Sequence, residues 1–195
     1  MISKEAKDKL KRRIKYDLTL WSKVVMLREC FEFIESLDTD TLDTLEISGN
    51  TLEHIKFKSY TKFDYPEYDI CKDCLDDRFD LIMADQVFEH LLWPYRAGKN
   101  VYTMLNEGGC FIISTPFLVR IHNDPIDCSR WTETGLKYLL AECGFELDKI
   151  KTGSWGNRAC INANFRKWSA RGWGIFTKLH NEENFPITVW AIARK

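Results

Sequence analysis

Residues 79–116, FDLIMADQVFEHLLWPYRAGKNVYTMLNEGGCFIISTP, constrain the fold of this chain more than any other stretch. The apolar run 79–84 is too short for a buried helix and is followed at once by polar Asp85 and Gln86. It therefore reads as a buried strand that ends where a ligand can sit. A helix is expected next, because Pro94 suits a first turn and Ala97, Val101, Met104 and Leu105 follow at helical spacing before Gly108 and Gly109 stop it. A second strand, 110–114, closes the unit. Strand, helix and strand of this length make a βαβ crossover, which is nearly always right-handed and sets both strand C-termini on one edge of a parallel sheet. Open α/β sheets bind their ligands at that edge.

The totals bound what surrounds this unit. At 195 residues the chain fits one domain with a small appendage, and 45% apolar with 29% charged residues is ordinary for a globular protein. The 28 basic and 29 acidic residues nearly cancel, so no global field recruits nucleic acid or an anionic membrane. No run reaches membrane-spanning length, and the charged N-terminus has no apolar segment behind it, so a cytoplasmic location is expected. Seven cysteines, an odd number scattered through expected strands and helices, fit reduced thiols. Cys71 and Cys74 make a single CxxC, half a zinc site at most, and read as two incidental thiols.

The order FDLI, two polar residues, VFEHL, helix, LNEGG, FIISTP resembles the middle of the class I S-adenosylmethionine-dependent methyltransferases, especially their small-molecule and sugar-directed branch. The resemblance implies an α/β, Rossmann-like three-layer fold. Its mostly parallel sheet would have seven strands or slightly fewer, with the last inserted antiparallel, and a helical extension over residues 1–40 would precede the methyltransferase-like domain at 41–195. It also implies S-adenosylmethionine as cofactor. Residues 3–37 read as one or two helices on their own pattern: a basic first part, from Lys4 to Lys15, then an apolar face carrying Leu18, Trp21, Val24, Val25, Phe31 and Ile34. In the family such helices often cover the substrate.

Asp43–Ile47 reads as the first strand, ending at Ser48, Gly49 and Asn50. Glycine lets a backbone approach a ligand, and an acidic residue upstream, here Glu46, orders the turn. The family has two or three glycines where this chain has one, and only 51–57 separates the loop from a strand-like run at 58–63, so the following helix has about two turns at most. By the resemblance, Asp64 holds ribose hydroxyls, with Tyr65, Asp69 and Ile70 beside the adenine and Asp85, Gln86, Val87 and His90 along the rest of the cofactor. His90 could serve as a base, but at the start of a helix it reads rather as a residue that hydrogen-bonds backbone or carboxylate.

After Pro116, His122, Asp124, Asp127, Arg130 and Trp131 crowd into a loop at a strand C-terminus, before Thr132 caps a helix carrying Leu136, Leu139 and Leu140. The segment resembles the acceptor-facing loop of the family. An acceptor hydroxyl holds its proton tightly, and an imidazole backed by a carboxylate is a sound base. His122 is expected as that base, Asp127 or Asp124 as its orienter, and Arg130 and Trp131 at the acceptor, with an Asp127–Arg130 ion pair fastening the loop as the structural alternative. No metal is assigned, although Asp85, Asp124 and Asp127 leave a divalent cation open. Strands are expected at 146–152 and 186–193, with aromatics including Trp173 and Phe176 between them. Trp155, Asn157 and Arg158 would suit a sugar face, although aromatics between strands more often pack in a core or lid.

The function so implied is methyl transfer to a hydroxyl of a small molecule or sugar, with homo-oligomerisation open. The alternatives are a non-catalytic methyltransferase-like subunit that binds a partner, and a nicotinamide oxidoreductase, which would want a full GxGxxG after the first strand.

Overall fold

In this computed structural model, residues 17–165, 168–172 and 179–195 are described. The basic part of the N-terminal segment, Trp173 and Phe176 lie outside them. Six strands form the main sheet, in the order β3 (Ser59–Phe63), β2 (Asp43–Ile47), β4 (Phe79–Asp85), β5 (Leu105–Pro116), β8 (Thr188–Arg194), β6 (Ile150–Trp155). β3, β2, β4 and β5 run parallel, and β8 is inserted antiparallel between β5 and β6. A short antiparallel pair, β1 (Asp17–Leu20) with β7 (Ala170–Gly172), stands apart from it. The expected Rossmann-like α/β fold is therefore present, with six main-sheet strands among the described residues.

Side-chain alternation explains the three layers. Along β4, Leu81 and Met83 face one way and Ile82 and Ala84 the other; along β5, Cys110 and Ile112 oppose Phe111 and Ile113. All are buried, as parallel strands covered on both faces require. One face packs on α2 (Pro94–Met104) and α3 (Glu133–Cys143), which approach so closely that a Cβ on Gly98 would stand 2.4 Å from Cys143 Sγ. The other face is covered by α1 (Trp21–Glu35) and the short α4 (Arg158–Asn164), with Trp21 stacked on Trp155 at 6.0 Å.

Four boundaries differ from the sequence reading: the strand expected at 146–152 begins only at Ile150, after a 3-10 turn at Leu147–Lys149, and three others differ for a local reason. β5 starts at Leu105, directly after α2, so Gly108 and Gly109 do not stop the helix. They sit in an irregular stretch where the register with β4 jumps from Phe79↔Leu105 to Leu81↔Cys110, and Gly108 takes the left-handed conformation (φ 78°) that the bulge needs. Between β2 and β3 there is no helix, only turns, because Glu46 takes up the backbone N–H groups of Thr51 and Leu52. Residues 17–20, expected within a helix, form strand β1, since they pair with 170–172, far away in sequence.

Candidate active site

The sheet places its loops as α/β topology predicts. From β2 the chain moves outward to β3, then crosses back to β4 on the other side of β2, opening a crevice at their C-terminal ends. Two residues other than glycine have positive φ in the described chain, Ser48 (52°) and Gln86 (59°), and they close β2 and β4 at this crevice. Strain of this kind persists only where the surroundings hold it, as they do at binding sites. Gln86 is held by its N–H to the Ser114 carbonyl (3.0 Å) and by Nε2 to Ser114 Oγ (3.0 Å).

Glu46 lies under the β2 loop. It is fully buried, and its carboxylate accepts from Thr51 N (2.6 Å), Leu52 N (2.9 Å) and Tyr60 OH (2.7 Å). This is why position 49 is glycine: a Cβ there would stand 2.7 Å from Glu46 Oε1. The single glycine thus serves the acidic residue that shapes the loop.

Two cavities open at the crevice and share Gln86 and His90. The smaller, about 330 Å³, is walled by Ile47, Tyr68, Ile70, Val87 and Trp93, with Ser48, Tyr65 and Asp69 among its polar groups. The Lys72 ammonium, 2.8 Å away, holds Asp69 below the usual carboxylate range. Asp64, by contrast, is exposed, lies 3.6 Å from Lys62 and is outside this lining, as are Glu46, Gly49, Asn50 and Asp85.

The larger cavity, about 560 Å³, is polar: Lys23, Glu89, Arg120, His122 and Asp124 line it beside Trp168. Two buried carboxylates stand at the end of β4, of which only Glu89 lines this cavity. Asp85 is fully partnered, by Lys23 Nζ (2.6 Å), Thr51 Oγ1 (3.2 Å) and Ser114 Oγ (2.5 Å). Glu89 is fully buried with neither carboxylate oxygen hydrogen-bonded, and burial pushes its pKa up to about 8. Its own carbonyl accepts from Cys128 N (2.7 Å) and Ser129 N (3.2 Å), which ties the loop after β5 to the end of β4.

That tie brings the histidines together, their rings 4.9 Å apart and edge-to-face, with Trp168 also edge-to-face with His122 at 5.1 Å. His90 Nδ1 is hydrogen-bonded to the Ile126 carbonyl, and His90 Nε2 lies 3.6 Å from Glu89 Oε1. His122 Nε2 is buried without a partner, and burial first, then the neighbouring His90, lower the His122 pKa. Asp127 does not contact the imidazole: its carboxylate accepts from the His122 backbone N–H (2.8 Å) and forms a two-pronged pair with Arg130 (Nη2 to Oδ2, 2.6 Å). Burial raises the Asp127 pKa, but Arg130 and that N–H more than offset it, leaving a net lowering.

The remaining expected acceptor residues are engaged elsewhere. Trp131 packs on the core, and Trp155 is buried against Trp21. Asn157 caps α4 by accepting from Cys160 N (2.9 Å) and donates to the His180 carbonyl (3.0 Å). Arg158 pairs with Glu182 at 2.6 Å. Lys23 and Arg120 carry no functional signal in the sequence, and Glu89 carries only its place in an adjacent Glu-His pair at a strand end.

No protein-family model matches the sequence, and no curated protein matches it significantly. Solved structures do share the fold. An S-adenosylmethionine-dependent methyltransferase from Mesorhizobium loti superposes with a TM-score of 0.58 at 15% identity, over 86% of this chain and 97% of its own. One from Archaeoglobus fulgidus gives 0.57 at 13% identity (89% and 95%), and one from Clostridium acetobutylicum 0.56 at 14% (89% and 90%). At these identities the likeness shows the fold, which is that of the S-adenosylmethionine-dependent methyltransferases. Among the described residues no helix is long and apolar enough to cross a membrane.

Proposed function

We propose that the protein is an S-adenosylmethionine-dependent methyltransferase acting on a hydroxyl of a small molecule or glycan. The observation that carries this reading is the junction of the two cavities at Gln86 and His90, beyond the C-terminal end of β4. The smaller cavity offers apolar and aromatic walls to an adenine and the Asp69 carboxylate to ribose hydroxyls, so Asp69 takes the part that the sequence offered first to Asp64. The larger, with its charged lining, suits a hydroxylated acceptor. The missing helix after β2 is no obstacle. A helix N-terminus serves dinucleotide folds by receiving pyrophosphate, and a sulfonium nucleoside has none.

The methyl group passes at the junction. The acceptor oxygen attacks the methyl carbon in line with the carbon–sulfur bond; as oxygen–carbon forms, carbon–sulfur breaks, and sulfur keeps the electron pair as a neutral thioether. The acceptor's proton is lost beside Glu89, His90 and His122, into the water of the larger cavity. His122 presents the partnerless nitrogen at that step, and its lowered pKa keeps the nitrogen unprotonated at neutral pH. Asp127 positions His122 through the backbone, with Arg130 as its counter-ion.

His122→Ala tests the assignment once an acceptor has been found by screening for S-adenosylhomocysteine release. Turnover is expected to fall at least about a hundredfold with affinity for S-adenosylhomocysteine unchanged, because His122 lies in the larger cavity alone. Undiminished turnover would remove His122 from the mechanism.

A further inference from the structure

Glu89, His90 and His122 each bring a ligand-type atom within 4.8 Å of the other two. What the three atoms present to one another can be read from their other bonds. The Ile126 carbonyl can only accept, so His90 Nδ1 must carry its proton, and a neutral His90 then turns the lone pair of Nε2 toward Glu89 Oε1, 3.6 Å away. Neither Glu89 oxygen has a hydrogen-bond donor, and neither does His122 Nε2, although all three atoms are buried. A fully buried, unpartnered carboxylate and two half-buried imidazoles therefore converge at the edge of the larger cavity with no hydrogen bond joining them. Such an arrangement is costly unless a cation completes it.

We propose that Glu89, His90 and His122 hold a divalent first-row transition cation, of the zinc or manganese class. Two imidazole nitrogens and one carboxylate are a borderline donor set, which favours these ions over magnesium or calcium, whose preferred ligands are all oxygen. Metal–ligand bonds of about 2.1 Å in tetrahedral arrangement require donor atoms roughly 3.4 Å apart. The Glu89–His90 pair already stands close to that, at 3.6 Å. The second sphere is in place as well: a ligating histidine characteristically donates its other N–H to a carbonyl or carboxylate, as His90 does to Ile126.

With three protein ligands the ion keeps open positions, and both histidines and Glu89 line the larger cavity, so those positions face the acceptor. The inference rests on the proposed methyl transfer and deepens it. His122 acts on the acceptor through the ion, which binds the hydroxyl oxygen and favours its ionised form, the proton passing to water in the cavity. The acceptors so selected are those with an oxygen able to ligate a metal.

The test is direct binding, with activity as a separate readout. Chelator-stripped protein is titrated with Zn²⁺ in a calorimeter and with Co²⁺ under visible spectroscopy, beside Glu89→Gln, His122→Ala and Cys74→Ser. One ion per chain is expected, with cobalt bands lacking the near-ultraviolet thiolate charge-transfer absorption. Glu89→Gln and His122→Ala should each weaken binding at least tenfold, and Cys74→Ser should leave it unchanged, since Cys74 belongs to the CxxC and lies outside both cavities. Absent binding, thiolate absorption, or loss in Cys74→Ser with retention in the other two would each overturn the proposal; near-UV circular dichroism identifies any variant that fails to fold, and His122→Asn then replaces it. S-adenosylhomocysteine is titrated into the same samples. Metal bound without the nucleoside would fail the methyltransferase reading alone, and the nucleoside bound without metal would fail this proposal alone.

Discussion

Asp85 and Glu89 stand four residues apart at the end of the same strand, both buried, yet their surroundings are opposite. Asp85 has an ammonium and two hydroxyls on its oxygens; Glu89 has nothing. A buried carboxylate with donors on both oxygens holds structure together, and here it fastens α1 to the sheet and to the β2 loop through Lys23 and Thr51. A buried carboxylate left open costs stability and persists where another need retains it. The difference separates the fastening of the site from its chemistry.

Substitutions at the two positions should therefore diverge. The largest effect is expected from Glu89→Gln, which should lower methyl-transfer turnover about a hundredfold or more while leaving the urea midpoint of the metal-free protein unchanged or higher, since it removes a buried unpaired acid. Asp85→Ala should do the reverse to stability. It strands Lys23, whose side chain is only 30% exposed, and two hydroxyls, and should cost about 2 kcal/mol of unfolding free energy in urea. Equal stability losses at the two positions would erase the contrast.

A pH series sharpens it. The Glu89 carboxyl is raised from an ordinary 4.5 to about 8 in the folded chain, so between those values the folded state holds a proton that the unfolded state has released. Metal-free protein should accordingly lose stability as pH rises from roughly 5 to 8, and Glu89→Gln should flatten that slope in urea titrations at each pH. The smallest effect should come from Thr51→Val. Its hydroxyl makes the longest of the three contacts to Asp85, at 3.2 Å, and its loss should cost about 0.5–1 kcal/mol.

Much of the scaffold was legible because it is written in local pattern. The apolar run of β4, the Pro94 start of α2 and the Thr132 cap that accepts from Gly135 N at 3.1 Å appear where the residues place them, and the antiparallel last strand appears as the family resemblance implied. The small β1–β7 pair joins segments about 150 residues apart, and no local signal announces such a pairing. At the site, Ser48, Tyr65, Asp69, Ile70, Gln86, Val87, His90, His122 and Asp124, all named from the sequence, lie in the linings of the two cavities. Lys23 was invisible because it sits in an apolar-faced helix and meets a partner 62 positions away. Glu89 escaped for a subtler reason: a glutamate between a strand and a helix reads as solvated surface, and only the packing of the loop after β5 over it makes it buried and unpaired.

The central claim is that the cavity between the ends of β2 and β4 receives a sulfonium nucleoside. Calorimetric titration of the protein with S-adenosylmethionine and S-adenosylhomocysteine, with NAD as control, tests it most directly. Micromolar, one-to-one binding of the first two and none of NAD is expected. A folded protein that binds neither nucleoside, or that binds NAD instead, would contradict it.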